Sequence, residues 1–130
     1  MEFKTLCWLG AATSASFGLA FLVEPTLTAG LYGIGLPGSP TQALARFLGA
    51  TYLAQAVLLW GASQLTQPAA QRRLAGGFAA ITVIGLALAV QTLATGAVNA
   101  MGWLSVLIYG GFSVAWALAA RSAGAGLARA

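Results

Sequence analysis

The chain has 130 residues, of which 59 % are hydrophobic and only 6 % charged, and its net charge is +4. A soluble domain carries roughly 25 % charged residues, and six basic with two acidic side chains cannot clothe one. These figures exclude an ordinary soluble protein and a disordered chain, and they fit a single polytopic membrane domain spanning residues 1–130.

Four apolar stretches follow one another along the chain, each near the ~20 residues that cross a hydrocarbon core of ~30 Å. Backbone polar groups in lipid must bond within their own segment, so all four are predicted as helices. The first runs from about Thr5 to Val23. Lys4 and the small residues at Ser14 and Ala15 give it some likeness to a secretory leader. Its apolar run is longer than a leader's ~7–15 residues, so it reads as a retained span. Gly10, Ser14 and Gly18 recur every four residues and form a slowly drifting groove of small side chains. Membrane helices associate through close packing of this kind.

Glu24 closes the first span. The connection that follows, to Gln42, holds Pro25, Pro37, Pro40 and several glycines. Within it Leu27 to Leu36 is semi-apolar and contains Tyr32, which predicts a segment folded back on the bundle's outer end or lying in the interface. The second span runs from about Ala43 to Gln64, with Arg46 three residues inside it, Ala45 and Gly49 as small packing positions, and Gln55 near its middle. A polar connection ends in Arg72 and Arg73. The third span, about Leu74 to Ala97, carries Thr82 and, near its outer end, Gln91 and Thr95, which are expected to bond Asn99 or the long first connection. The fourth, about Met101 to Ala120, carries Tyr109 and Ser113, and the last residues of an Ala/Gly-rich tail after Arg121 are expected to fray.

Four spans put both termini and the middle connection on one side. That side holds Lys4, Arg72, Arg73, Arg121 and Arg129, and the other holds only Arg46. Basic residues gather on the cytoplasmic side of membrane proteins. The expectation is an all-α integral membrane protein, an antiparallel four-helix bundle with both termini cytoplasmic. Trp8, Trp60 and Trp116 near the inner ends and Trp103 near the outer end read as interfacial anchors.

The residues that could carry chemistry are few. Histidine is absent and one cysteine is present, so no metal or haem site is expected from this chain alone. The basic residues flank apolar segments, which points to membrane topology and away from nucleic acid. Glu24 and Arg46 lie at one membrane level on successive spans, and an ion pair between them is expected. Arg46 could instead hold a lipid headgroup, as arginines near span ends do. Ser14, Gln55, Thr82, Tyr109 and Ser113 fall at mid-depth and could form a polar layer of interhelical hydrogen bonds, worth only ~0.6 kcal/mol each on average. The glycines of Leu31-Tyr32-Gly33-Ile34-Gly35 have neither a following lysine nor a preceding strand, so no phosphate loop is expected.

The order Glu24-Pro25, Leu31-Tyr32-Gly33, then Arg46-Phe47-Leu48-Gly49-Ala50, with two further spans and a basic middle connection, resembles small four-helix bacterial membrane proteins loosely grouped as DoxX-like or of unknown function. That resemblance implies a multi-pass protein of the bacterial inner membrane that partners larger complexes, and it supplies no catalytic residue. The first function expected is a non-catalytic accessory or structural subunit, packed in a larger membrane complex or a homo-oligomer. No cofactor is called for, and a bound lipid can be accommodated. The alternatives are a small oligomeric transporter or channel, and a lipid- or quinone-binding membrane enzyme.

Overall fold

A computed structural model describes the backbone of residues 2–127 and the side chains of residues 2–122. The chain is all-helical, in the order α1 (Phe3–Val23), α2 (Pro25–Leu31), α3 (Gly38–Ala62), α4 (Pro68–Ala94) and α5 (Gly102–Leu127). Four of the five are long and apolar enough to cross a membrane, the architecture of a multi-pass membrane protein. Many large apolar side chains point outward, among them Leu44, Phe47, Leu58 and Leu107, each at least 69 % exposed. Water would penalise such a surface, and lipid does not.

Local chemistry sets the helix ends. Pro25 disfavours helical geometry at the residue before it, so Glu24 turns to φ −130°, ψ 69° and α1 stops there. The same proline opens α2, where its missing N–H costs nothing. α3 begins at Gly38, five residues before the expected start, because Pro40 falls within the first turn, where a proline is tolerated. α4 begins at Pro68, so Arg72 and Arg73 lie inside the helix and not in the connection before it. The tail after Arg121 continues α5 to Leu127, and the last residues, where fraying is expected, lie with Arg129 outside the described residues.

Two helix pairs form the body. α1 lies along α3 and α4 along α5, and backbone contact between the pairs is sparse. At the α1–α3 crossing Gly18 and Gly49 bring the two backbones together, with Gly10 facing Leu59 further along. Residue numbers thus fall along α3 as they rise along α1. The second pair shows the same relation, with Phe78 stacked on Trp116 and Gly85 against Tyr109.

The pairs are joined at both ends by different chemistry. Near the N-terminus of α1, Leu6, Cys7, Leu59, Ala75 and Trp116 form one buried cluster. Trp116 is 2 % exposed, between Phe78 at 5.0 Å and Phe3 at 5.9 Å. Its expected place as an interfacial anchor is therefore corrected. Its ring is the largest filler of the buried cluster to which all four long helices contribute. Trp8, Trp60 and Trp103 remain outward-facing.

At the opposite end, α2 and α4 both finish in the same way. The N–H of Gly33 donates to the Gly30 carbonyl and that of Ile34 to the Ala29 carbonyl. Gly96 and Ala97 repeat the pattern on Leu93 and Thr92. This double closure needs a left-handed residue, and Gly33 and Gly96 supply φ of 75° and 70°. The two turns then meet. The Asn99 backbone N–H donates to the Tyr32 carbonyl at 2.9 Å, and its carboxamide donates to the Leu31 carbonyl at 3.0 Å. Among the described residues Asn99 makes the hydrogen bonds from this end of α4 and α5 to the first connection. The Thr95 hydroxyl, expected to share that task, bonds back to Gln91 and Thr92 carbonyls of its own helix.

Candidate functional site

Joined at both ends and sparse between, the helix pairs enclose a cavity of about 980 Å³. This is near the top of the ~300–1,000 Å³ range of small-molecule sites. It is walled by α1 (Gly10, Ser14, Phe17, Phe21), α3 (Leu48, Tyr52, Gln55, Leu59), α4 (Phe78, Thr82, Gly85, Leu88) and α5 (Tyr109, Phe112, Trp116). Its floor is the buried cluster around Trp116. Leu44 and Leu48 of α3 and Ile81, Ile84 and Leu88 of α4 both line it and are exposed, so it opens sideways between these two helices. That opening faces the surroundings of the bundle, which for spanning helices is hydrocarbon.

The lining is strongly aromatic. All three tyrosines of the chain and five of its six phenylalanines contribute to it. Tyr32 comes from the turn after α2 and Phe47 from the lip of α3. The Phe17 and Tyr52 rings lie 6.1 Å apart, tilted by 37°. The Tyr109 ring packs so closely on Gly85 that a methyl group at that glycine would overlap it.

Polar groups are sparse and uncharged. The Tyr52 and Tyr109 hydroxyls are 3.1 Å apart and share one hydrogen bond, the only one between side chains of the two pairs among the described residues. Thr82 and Ser113 return their hydroxyls to the carbonyls of Phe78 and Tyr109 on their own helices, so they belong to no interhelical network. The expected polar layer is thus reduced to Tyr109 with its partner, Ser14 and Gln55. Ser14 is 7 % exposed and Gln55 half-buried, and both line the cavity. Among the described residues neither side chain is hydrogen-bonded, yet no sealed side-chain nitrogen or oxygen lacks a partner. Their polar atoms therefore reach into the cavity.

Tyr52 escaped the sequence reading. The available signal was its position three residues before Gln55, which sets both on one face of α3. Gly10, Ser14 and Gly18 are all buried on the inner side of α1, and Gly49 is buried opposite them. Gly10, Gly18 and Gly49 are occupied by contacts between α1 and α3, while Ser14 lines the cavity.

Glu24 and Arg46 are not brought together. Both side chains are exposed, and no ion pair or hydrogen bond joins them among the described residues. What Glu24 contributes is its backbone: its carbonyl accepts the Thr28 hydroxyl at 2.8 Å, which also bonds the Ala20 carbonyl and holds α2 on α1. Equal depth does not fix the direction in which each helix turns its side chain. Arg46 is absent from the cavity lining. A double-mutant cycle of Glu24→Gln and Arg46→Gln is accordingly expected to be additive within about 0.5 kcal/mol, as for unconnected sites. Detergent unfolding of the two single variants and the double one measures it, and a coupling above ~1 kcal/mol would restore the pair.

Comparison of the chain with protein-family profiles, with curated sequences and with solved structures finds no match.

Proposed function

We propose that this chain is a non-catalytic integral membrane protein that shelters a membrane-dwelling amphiphile between its helix pairs. In this reading it is an antiparallel four-helix bundle of the bacterial inner membrane. Both termini face the cytoplasm, as the five-to-one division of basic residues supports. It serves larger membrane assemblies as an accessory component.

The observation that carries the proposal is the cavity with its sideways opening. Protein interiors are packed to the density of organic crystals, and few voids exceed a water molecule. A cleft of about 980 Å³, open on the side between α3 and α4, leaves apolar side chains of both pairs without packing partners. Water gains little from entering an apolar space with so few polar partners. A molecule already dissolved in the bilayer enters between α3 and α4 without crossing a polar barrier. A pore is less well supported, because the space ends on Trp116 and its neighbours. Catalysis is less well supported too, because no carboxylate, histidine or cysteine thiol is among the lining residues.

The test is to purify the protein in a mild detergent and examine it by native mass spectrometry. The wild type should retain about one lipid-like guest. Thr51→Trp with Ile84→Trp places two large rings at exposed lip positions without touching the buried crossing. This variant should keep its stability and lose the guest. Equal occupancy in both proteins would overturn the proposal.

A further inference from the structure

We infer that the guest is a neutral amphiphile whose head presents a carbonyl oxygen, received at mid-membrane by Ser14, Tyr52, Gln55 and Tyr109. This rests on the cavity being a guest site, as proposed above, and adds the chemistry of the head.

Charge is the first criterion. No ionisable side chain other than tyrosine lines the cavity, and Arg46 and Glu24 both lie outside it. A carboxylate, phosphate or ammonium head would be desolvated there without a counter-ion, and such burial is expensive at bilayer depth. A head with no polar atom at all fares differently, because the polar side chains would stay unsatisfied.

Hydrogen-bond arithmetic gives the second criterion. In the Tyr52–Tyr109 bond one hydroxyl donates and the other accepts, so the accepting hydroxyl keeps its own hydrogen free whichever way the bond runs. The Ser14 hydroxyl adds one donor, and the Gln55 carboxamide adds two donors against one carbonyl acceptor. Most neighbouring hydroxyls, those of Thr13, Thr51 and Thr82 included, are already spent on their own helices. Several donor hydrogens are thus left without a protein acceptor at one level of an apolar space, and a buried N–H or O–H without a partner is tolerated less than an oxygen with a spare lone pair. The complementary head is an acceptor, and a neutral carbonyl is the form that hydrocarbon tolerates.

The aromatic walls give the third criterion. Phe17, Tyr52, Phe78, Tyr109 and Phe112 offer flat faces around those donors. A planar conjugated carbonyl ring uses both features, and an ester carbonyl on a glyceride uses the donors alone. The shared chemistry is the carbonyl acceptor on an apolar tail, and the experiment separates the two sources.

Four probes are titrated in mixed micelles against the purified full-length protein stripped of native guest, with thermal shift and native mass spectrometry as readouts. Decylubiquinone represents the planar conjugated carbonyl, dioleoylglycerol the neutral ester, oleate the charged head and squalene the bare hydrocarbon. One or both carbonyl probes should bind at least roughly tenfold more tightly than oleate and squalene, the scale of one well-made hydrogen bond. Binding of decylubiquinone alone identifies the ring as the recognised head, and binding of dioleoylglycerol as well identifies the carbonyl alone.

Gln55→Leu and the double substitution Tyr52→Phe with Tyr109→Phe serve as independent variants, because either hydroxyl alone still offers one free hydrogen. Each should weaken the carbonyl probe about tenfold. Gln55→Leu should also raise the melting temperature of the guest-free protein, because it removes a polar group left without a partner. That gain separates recognition from damage to the fold. Should squalene bind as well as the carbonyl probes, with both variants unaffected, the head inference fails while the guest site stands. Binding of no probe by the wild type, with the Thr51→Trp/Ile84→Trp protein behaving identically, would remove the guest site itself.

Discussion

Gly49→Ala is expected to cost about 3 kcal/mol, the upper end of overpacking penalties, for the addition of a single methyl group. A Cβ at Gly49 would stand 2.8 Å from the Gly18 carbonyl oxygen, 2.8 Å from the Leu22 nitrogen and 3.1 Å from the Phe21 carbonyl carbon. All three are backbone atoms, so no rotamer change relieves the clash and α1 and α3 must separate. Separation forfeits the dispersion contacts along the crossing, and in lipid those contacts are the main source of helix association. The series around it should grade with the nature of the obstacle. Gly18→Ala meets the Leu53 side chain at 2.8 Å and the Gly49 carbonyl at 3.0 Å, so part of the strain can relax. Gly10→Ala meets only the tip of Leu59 at 3.0 Å and should cost under about 1 kcal/mol. Gly77→Ala meets nothing within 4 Å and should be silent. Unfolding of the four variants by sodium dodecyl sulfate in mixed micelles, followed by circular dichroism, gives the order. The crossing argument is lost if Gly49→Ala unfolds with Gly77→Ala.

The groove was legible in the sequence because small residues every four positions have few other uses in a membrane helix. Its ranking was not, since three glycines and a serine look alike until the partner atoms are known. The four long helices were legible for a similar reason: hydropathy over ~20 residues is dictated by the bilayer and little else. Their starts were less so. Pro40 reads as part of the first connection, whereas a proline in a first turn removes only an N–H that has no intrahelical partner.

The site divides in the same way. Ser14, Gln55 and Tyr109 could be picked out by depth alone, because a polar residue at mid-membrane is conspicuous. Tyr52 was open to the same reading, since it lies three residues before Gln55 on the same face of α3. The cavity itself left no mark on any single residue. It exists because the crossing at Gly18 and Gly49 draws α1 to α3, the Tyr109 ring lies on Gly85 between α4 and α5, and little draws one pair to the other between Trp116 and Asn99. Such a space is a property of where close contacts stop. For Glu24 and Arg46 the sequence gives the height of a side chain in the bilayer more readily than its direction around the helix, and no ion pair joins the two among the described residues.

Trp116 is where the two pairs are held together at the closed end, and Trp116→Ala should be the most damaging truncation. The ring is 2 % exposed, stacked on Phe78 and met edge-on by Phe3, so it ties α1, α4 and α5 at one level. Truncating a buried tryptophan to alanine costs ~3–5 kcal/mol in a water-soluble core. Much of that cost is the void left behind, and lipid on the outside does nothing to refill it. About 3 kcal/mol is the expected loss here, with Trp116→Phe retaining most of the stacking and costing about 1 kcal/mol. Trp60→Ala and Trp103→Ala remove outward-facing rings and should unfold with the wild type in detergent. The effect on the cleft should be separable from stability. Trp116 is both part of the closing cluster and part of the cavity wall, so its loss removes the floor on which a guest rests. Under conditions where Trp116→Ala remains folded, it should release the co-purified guest, while Trp116→Phe should keep it. Retention of the guest by a folded Trp116→Ala protein would mean that the cavity is closed by other contacts, and that the pairs are joined chiefly through Asn99.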